Sequence, residues 1–187
     1  MEPENKANSV LRFISRTKGP RNPKLFSKFY MSLVRPILQY CSPVWSPHLK
    51  KDSAILEKVR RRTPRYAIRN IARDMSYEER LKVLKWLTLH QRRLFSALTE
   101  CYKTANSLNG LHPFEYFTFA HDFRPLRNNH RHELKPLAAK LNSFKYSFCA
   151  SIVNKWNNLP KIVAQAETLN IFKNRVRRHF TNVLGNF

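Results

Sequence analysis

Glycine is scarce, with three residues in a chain of 187. So few flexible positions argue against a turn-rich all-β fold. They also leave no glycine-rich loop to cradle phosphates. Acidic residues are few, 12 Asp and Glu against 35 Lys and Arg, for a formal net charge of +23. The three Asp residues, Asp52, Asp74 and Asp122, are never adjacent. Two-metal phosphoryl transfer needs clustered carboxylates, so capping or solvation is the expected role of each. Cys41, Cys101 and Cys149 lie far apart. That spacing excludes a disulfide framework and points to reduced thiols in an intracellular protein. Each has apolar or aromatic neighbours, so all three are expected to be buried core thiols. No C-x-x-C or H-E-x-x-H pattern occurs, and His130 and His132 flank Arg131 with no cysteine partner. A solvated loop is expected there rather than zinc. No local signature of a nucleophilic triad is present. The expectation is therefore a non-enzyme with no cofactor and no metal.

Long apolar runs are also missing. The greasiest stretch, "FYMSLVRPILQYCSPVW" at 29–45, contains Arg35, Pro36, Gln39 and Pro43. A membrane span needs about 20 mostly apolar residues, so no membrane contact is expected. The first ten residues are polar, with two Glu, and do not read as a signal peptide.

What is present is a core and an excess of cations. Hydrophobic residues make up 42% of the chain and aromatic ones 12%. That composition suits a folded domain. Like charges in such excess oppose compaction. A polyanion relieves the repulsion, and nucleic acid is the expected partner.

The pattern predicts a mainly α protein in three parts: a helical region over 1–110, a loop-rich Phe/Pro connection over 111–143, and a small basic helical region over 144–187. A first helix is expected at 5–17. A second is expected from Lys24 to Tyr40, where the rows Leu25, Phe29, Leu33, Ile37 and Phe26, Tyr30, Val34, Leu38 form one broad apolar face. Pro36 should kink it. A third helix should begin at Asp52 or Ser53, and Pro64 should kink or divide it. Ser76 to Glu79 match a capping box, and a longer helix should follow Thr88 and end at Asn109-Gly110. The connection is expected to hold a short strand near 130–136. Helices from Phe144 to Asn157 and from Leu169 to Phe180 complete the chain.

Three basic clusters are candidate phosphate contacts. The first runs from Arg60 to Arg62 and on through Arg65 and Arg69, with Lys58 in the same stripe. Arg92 and Arg93 make the second. Lys173, Arg175, Arg177 and Arg178, beside His179, make the third. Most aromatics sit at helical spacing beside Leu and Val, and are expected in the core.

"SLVRPILQYCSPVWSP", followed by "LEKVRRRTPRY", resembles the stretch downstream of the palm in non-LTR (LINE-type) retrotransposon reverse transcriptases. "MSYEERLKVLKWLTLHQRRL", "SLNGLHPFEYFTF", "FCASIVNKWNNLP" and "TLNIFKNRVRRHF" are similar to that family's later motifs, in the same order. Two departures are Thr63-Pro64, where the family has a small residue and Thr, and Ile152, where it often has Arg. The family's catalytic Tyr/Phe-x-Asp-Asp motif and its endonuclease have no counterpart here. The resemblance implies the thumb and downstream portion of such an enzyme, a helical thumb-like bundle that is not catalytic alone. It implies RNA, DNA or RNA–DNA hybrid as ligand, with a separately encoded palm as a further partner. It places Lys58, Arg61, Arg62 and Arg65 on the family's basic helix, gives Arg35 a structural role, and implies a nuclear site or a cytoplasmic ribonucleoprotein. The alternatives are a helical protein-interaction module or a non-functional relic of a mobile element.

Overall fold

A computed structural model describes residues 3–17, 22–47, 49–68, 74–120, 132–138 and 140–185. The protein is mainly α-helical, and among the described residues β pairing is limited to one antiparallel bridge, Phe119 with Leu134. The chain forms two compact units, residues 1–41 with 47–90, and 42–46 with 91–187. The sequence pattern puts its first boundary at 110 instead. The second unit takes in all but the first two residues of the helix after Thr88.

The first unit contains α1 (Pro3–Arg16), α2 (Pro23–Phe29), α3 (Arg35–Gln39), α4 (Lys50–Ala67) and α5 (Tyr77–Leu84). A π-helical turn, Tyr30–Val34, joins α2 to α3. There the Arg35 N–H reaches back five residues to the Tyr30 carbonyl. Pro36 has no N–H to give, and the ordinary ladder resumes with the Tyr40 N–H on the Pro36 carbonyl at 2.8 Å. The chain thus accommodates Pro36 with a wider turn. Only one of the two apolar rows is core: Phe26, Tyr30, Val34 and Leu38 are buried, Leu25, Phe29 and Leu33 are exposed, and Ile37 is intermediate. The single broad buried face expected from the spacing is not formed.

Pro64 does not divide α4, which runs unbroken for 18 residues. Pro64 has no N–H to give the Arg60 carbonyl, yet the helix continues past it to Ala67. The Ile68 N–H closes on the Pro64 carbonyl at 3.1 Å. The helix starts at Lys50, ahead of the expected caps, and Ser53 instead donates its hydroxyl to the Pro47 carbonyl at 3.1 Å. The capping box forms as the sequence predicts: the Glu79 N–H donates to Ser76 Oγ at 3.2 Å, and the Ser76 N–H to Glu79 Oε2 at 2.6 Å. At the other end of α5, Lys85 takes a left-handed conformation, φ 53°. The Trp86 N–H can then close on the Leu81 carbonyl at 2.9 Å. Trp86 stacks on Tyr30, with ring centroids 4.9 Å apart.

The second unit contains α6 (Leu89–Ala105), α7 (Pro113–Tyr116), α8 (Asn142–Lys145), α9 (Phe148–Asn157), α10 (Lys161–Ala164) and α11 (Leu169–Gly185). Tyr102 of α6 stacks on Phe172 of α11 at 4.4 Å and donates its hydroxyl to the Ala166 carbonyl at 2.7 Å. Gly110, φ 75°, lies in the turn beyond α6. Fully buried Trp156 is the centre of this core; its Nε1–H donates to the His132 carbonyl at 2.7 Å. The Asn157 side chain grips Leu134, accepting from its N–H at 3.0 Å and donating to its carbonyl at 2.7 Å. Of the strand expected near 130–136, residues 130 and 131 lie outside the described residues; in 132–136 pairing is limited to the bridge at Leu134, whose backbone also bonds the Asn157 side chain. The helix expected from Phe144 to Asn157 is interrupted at Ser147, whose extended backbone (φ −62°, ψ 160°) starts α9 afresh.

Cys101 is buried, Cys149 is intermediate and Cys41 is exposed, so the expectation of three core thiols fails at Cys41, which lies in the turn after α3. Among the described residues, no helix is long and apolar enough to cross a membrane, and no three His, Cys, Asp or Glu side chains gather where a metal ion could bind.

Candidate nucleic-acid interface

Helical geometry sorts the basic residues of α4. Lys58, Arg61, Arg62 and Arg65 follow the i, i+3, i+4, i+7 spacing that places residues on one face, and all four are exposed. Leu56, Val59, Thr63, Pro64 and Ala67 occupy the other side and are buried. Among the described residues, none of the four cations forms an ion pair. Cations three and four apart on a helix repel one another, so a row of phosphates would relieve the strain. Arg61 also lies over the Tyr77 ring, its guanidinium carbon 5.5 Å from the centroid. Tyr77 in turn donates its hydroxyl to Glu57 Oε1 at 2.6 Å.

Arg60 is different. The sequence groups it with Arg61 and Arg62, but its side chain is fully buried. One amino group donates to the Tyr30 hydroxyl at 3.4 Å and the other to the Leu87 carbonyl. It is a strut of the first unit and is removed from the surface patch. The signal for this is positional: Arg60 follows Val59 and falls on the Leu56–Thr63 side of the helix.

The other clusters are split. Arg93 is buried over Trp45, 4.5 Å from the ring centroid, and donates to the Trp45 carbonyl at 3.4 Å. Arg92 is half-buried. On α11, Arg177 and Arg178 are exposed, and Arg177 lies 5.3 Å from the Phe95 ring centroid. Lys173 is partly buried, and Arg175 donates to the Ile162 carbonyl. Arg69 and His130 fall outside the described residues. The structure therefore brings Lys58, Arg61, Arg62 and Arg65 into one exposed row, and Arg177 with Arg178 into a smaller one. It commits Arg93 and Arg175 to local contacts.

Burial and the acceptor Glu57 push the Tyr77 hydroxyl well above the ordinary tyrosine value. A raised value means that the folded state keeps its proton after the unfolded chain has lost it. Stability from this contact should be complete below pH 10.0, the ordinary value, and decline as pH rises beyond it. Tyr77→Phe should make the alkaline decline shallower, the rest coming from other groups that burial raises, such as Tyr102 and Cys101, as read from urea midpoints across pH 8 to 12 (about the range tyrosine titration spans). An unchanged pH dependence in the variant would show that Tyr77 is not one of the groups responsible.

No protein-family model, no curated protein and no solved structure matches this chain.

Proposed function

We propose that the chain is a nucleic-acid-binding helical protein related to the region after the palm of non-LTR reverse transcriptases, and that it grips the phosphate backbone of a template–primer without catalysing synthesis itself. The observation that carries this reading is the exposed row Lys58, Arg61, Arg62 and Arg65 on α4, unpaired with acids among the described residues. In a chain of net charge +23, such a row matches a ladder of phosphates. Arg177 and Arg178 on α11 add a second, smaller contact, and the ligand is RNA, DNA or their hybrid inside the cell.

Affinity should be steeply salt-dependent and weakly sequence-specific. In gel-shift titrations on an RNA–DNA hybrid, neutralising Lys58, Arg61, Arg62 and Arg65 together should reduce the slope of log K against log salt by about 3 to 4, near 0.9 per phosphate contact. Wild-type binding that is micromolar or weaker and insensitive to salt would reject the reading.

A second reading, a helical module that docks on a separately encoded palm or another protein, is favoured by the exposed apolar row Leu25, Phe29 and Leu33. Capture of a purified palm that survives nuclease treatment would support it.

A further inference from the structure

Between Glu133 and Glu167 the chain has no acidic residue and five lysines, Lys135, Lys140, Lys145, Lys155 and Lys161. Within that stretch, residues 140–146, "KLNSFKY", are exposed throughout. Leu141 is 70% exposed, Phe144 44% and Tyr146 45%. Folding leaves these apolar side chains in water.

The segment is nevertheless held in a defined shape. The Lys145 N–H donates to the Leu141 carbonyl at 3.0 Å, the Tyr146 N–H to Asn142 at 3.1 Å and the Ser147 N–H to Phe144 at 3.0 Å. α9 follows directly, anchored by buried Ile152, Val153 and Trp156. Lys145 Nζ lies over the Tyr146 ring, 5.8 Å from its centroid, so a cation already rests on one face of this exposed residue.

We infer that the α8 turn is a stacking platform for single-stranded nucleic acid, with Phe144 and Tyr146 receiving unpaired bases and Lys140 and Lys145 neutralising the phosphates between them. Single-strand binding combines a basic surface with exposed aromatic rings, because every base offers a π-face whatever its sequence. Charge complementarity favours this occupant, since a segment of 33 residues with lysines and no acids is matched to a polyanion. A membrane surface fits less well. Interfacial binding draws on a long amphipathic helix, and α8 is a single turn of four residues. The platform lies in the second unit and the α4 row in the first, so the two readings are tested independently.

The test compares two labelled strands of equal length, oligo(dA) and an abasic strand that keeps every phosphate but lacks the bases. At fixed salt, the wild-type protein should bind oligo(dA) about tenfold or more tighter than the abasic strand, within the range that alanine substitution assigns to base stacking. The double variant Phe144→Ala/Tyr146→Ala should bind both strands alike and keep its affinity for a blunt duplex. Phe144→Tyr/Tyr146→Phe should retain the preference, which separates loss of stacking from loss of folding. Equal wild-type affinity for the two strands would overturn the inference without using any variant. So would a double variant that still prefers oligo(dA), or one that loses binding to phosphatidylserine vesicles while keeping its strand preference. If duplex binding proves weak and salt-insensitive while the base preference persists, the α4 reading fails and the α8 platform stands.

Discussion

Arg60→Ala is expected to destabilise the first unit by about 3–5 kcal/mol, the range for emptying a large core position. Arg60 lies at the junction of three segments. Its own helix is α4, the Tyr30 hydroxyl belongs to the π turn, and the Leu87 carbonyl follows α5. Alanine would open a cavity and remove a donor from the Leu87 carbonyl. Arg60→Met should recover much of the loss, because it keeps most of the volume. Arg60→Lys should not, because an ammonium cannot reproduce a fork that serves two acceptors in different directions. Urea denaturation followed by helical circular dichroism measures all three. A cost below about 1 kcal/mol for Arg60→Ala, the level of an ordinary surface change, would mean that the strut bears no weight.

Trp156→Ala should have a comparable effect in the second unit, about 3–5 kcal/mol. Trp156 is fully buried, its ring lies 5.8 Å from that of Phe172, and its indole N–H fixes the backbone at His132. The neighbouring Asn157 clamp on Leu134 depends on that placement. Trp156→Phe should keep most of the packing and lose the hydrogen bond, at a cost of about 1–3 kcal/mol for the unsatisfied His132 carbonyl. If the alanine and phenylalanine variants melt alike, the indole N–H rather than the ring area holds the site together.

Much of this architecture is legible in the residue pattern. The capping box at Ser76 and Glu79 is a local signal with a local outcome, and it forms as expected. The helices over 3–16, 89–105 and 169–185 follow from apolar periodicity. What the pattern misses depends on partners distant in sequence. Leu25 and Phe26 are equally apolar, yet only Phe26 is buried, because periodicity marks a face without saying how much of it a neighbour covers. Arg60 and Arg61 differ only in helical angle, and 100° of rotation separates a core strut from a surface cation. Pro64 removes one helical donor, yet the helix runs on for a further turn instead of dividing, an outcome that its local sequence does not reveal. The break before α9 falls at Ser147, a residue type that commonly starts helices, although its hydroxyl makes no capping bond here.

The exposed row Leu25, Phe29 and Leu33 has a colloidal consequence. At low ionic strength, net charge holds copies of the chain apart and keeps that greasy stripe from meeting its own kind. At physiological salt the repulsion reaches only about 8 Å, and the stripe can self-associate. A bound polyanion cancels the protein's charge more fully than dissolved salt does, yet surrounds it with a hydrated, negatively charged strand. On the proposed reading, the nucleic acid that relieves the cationic surface would also keep the molecule dispersed.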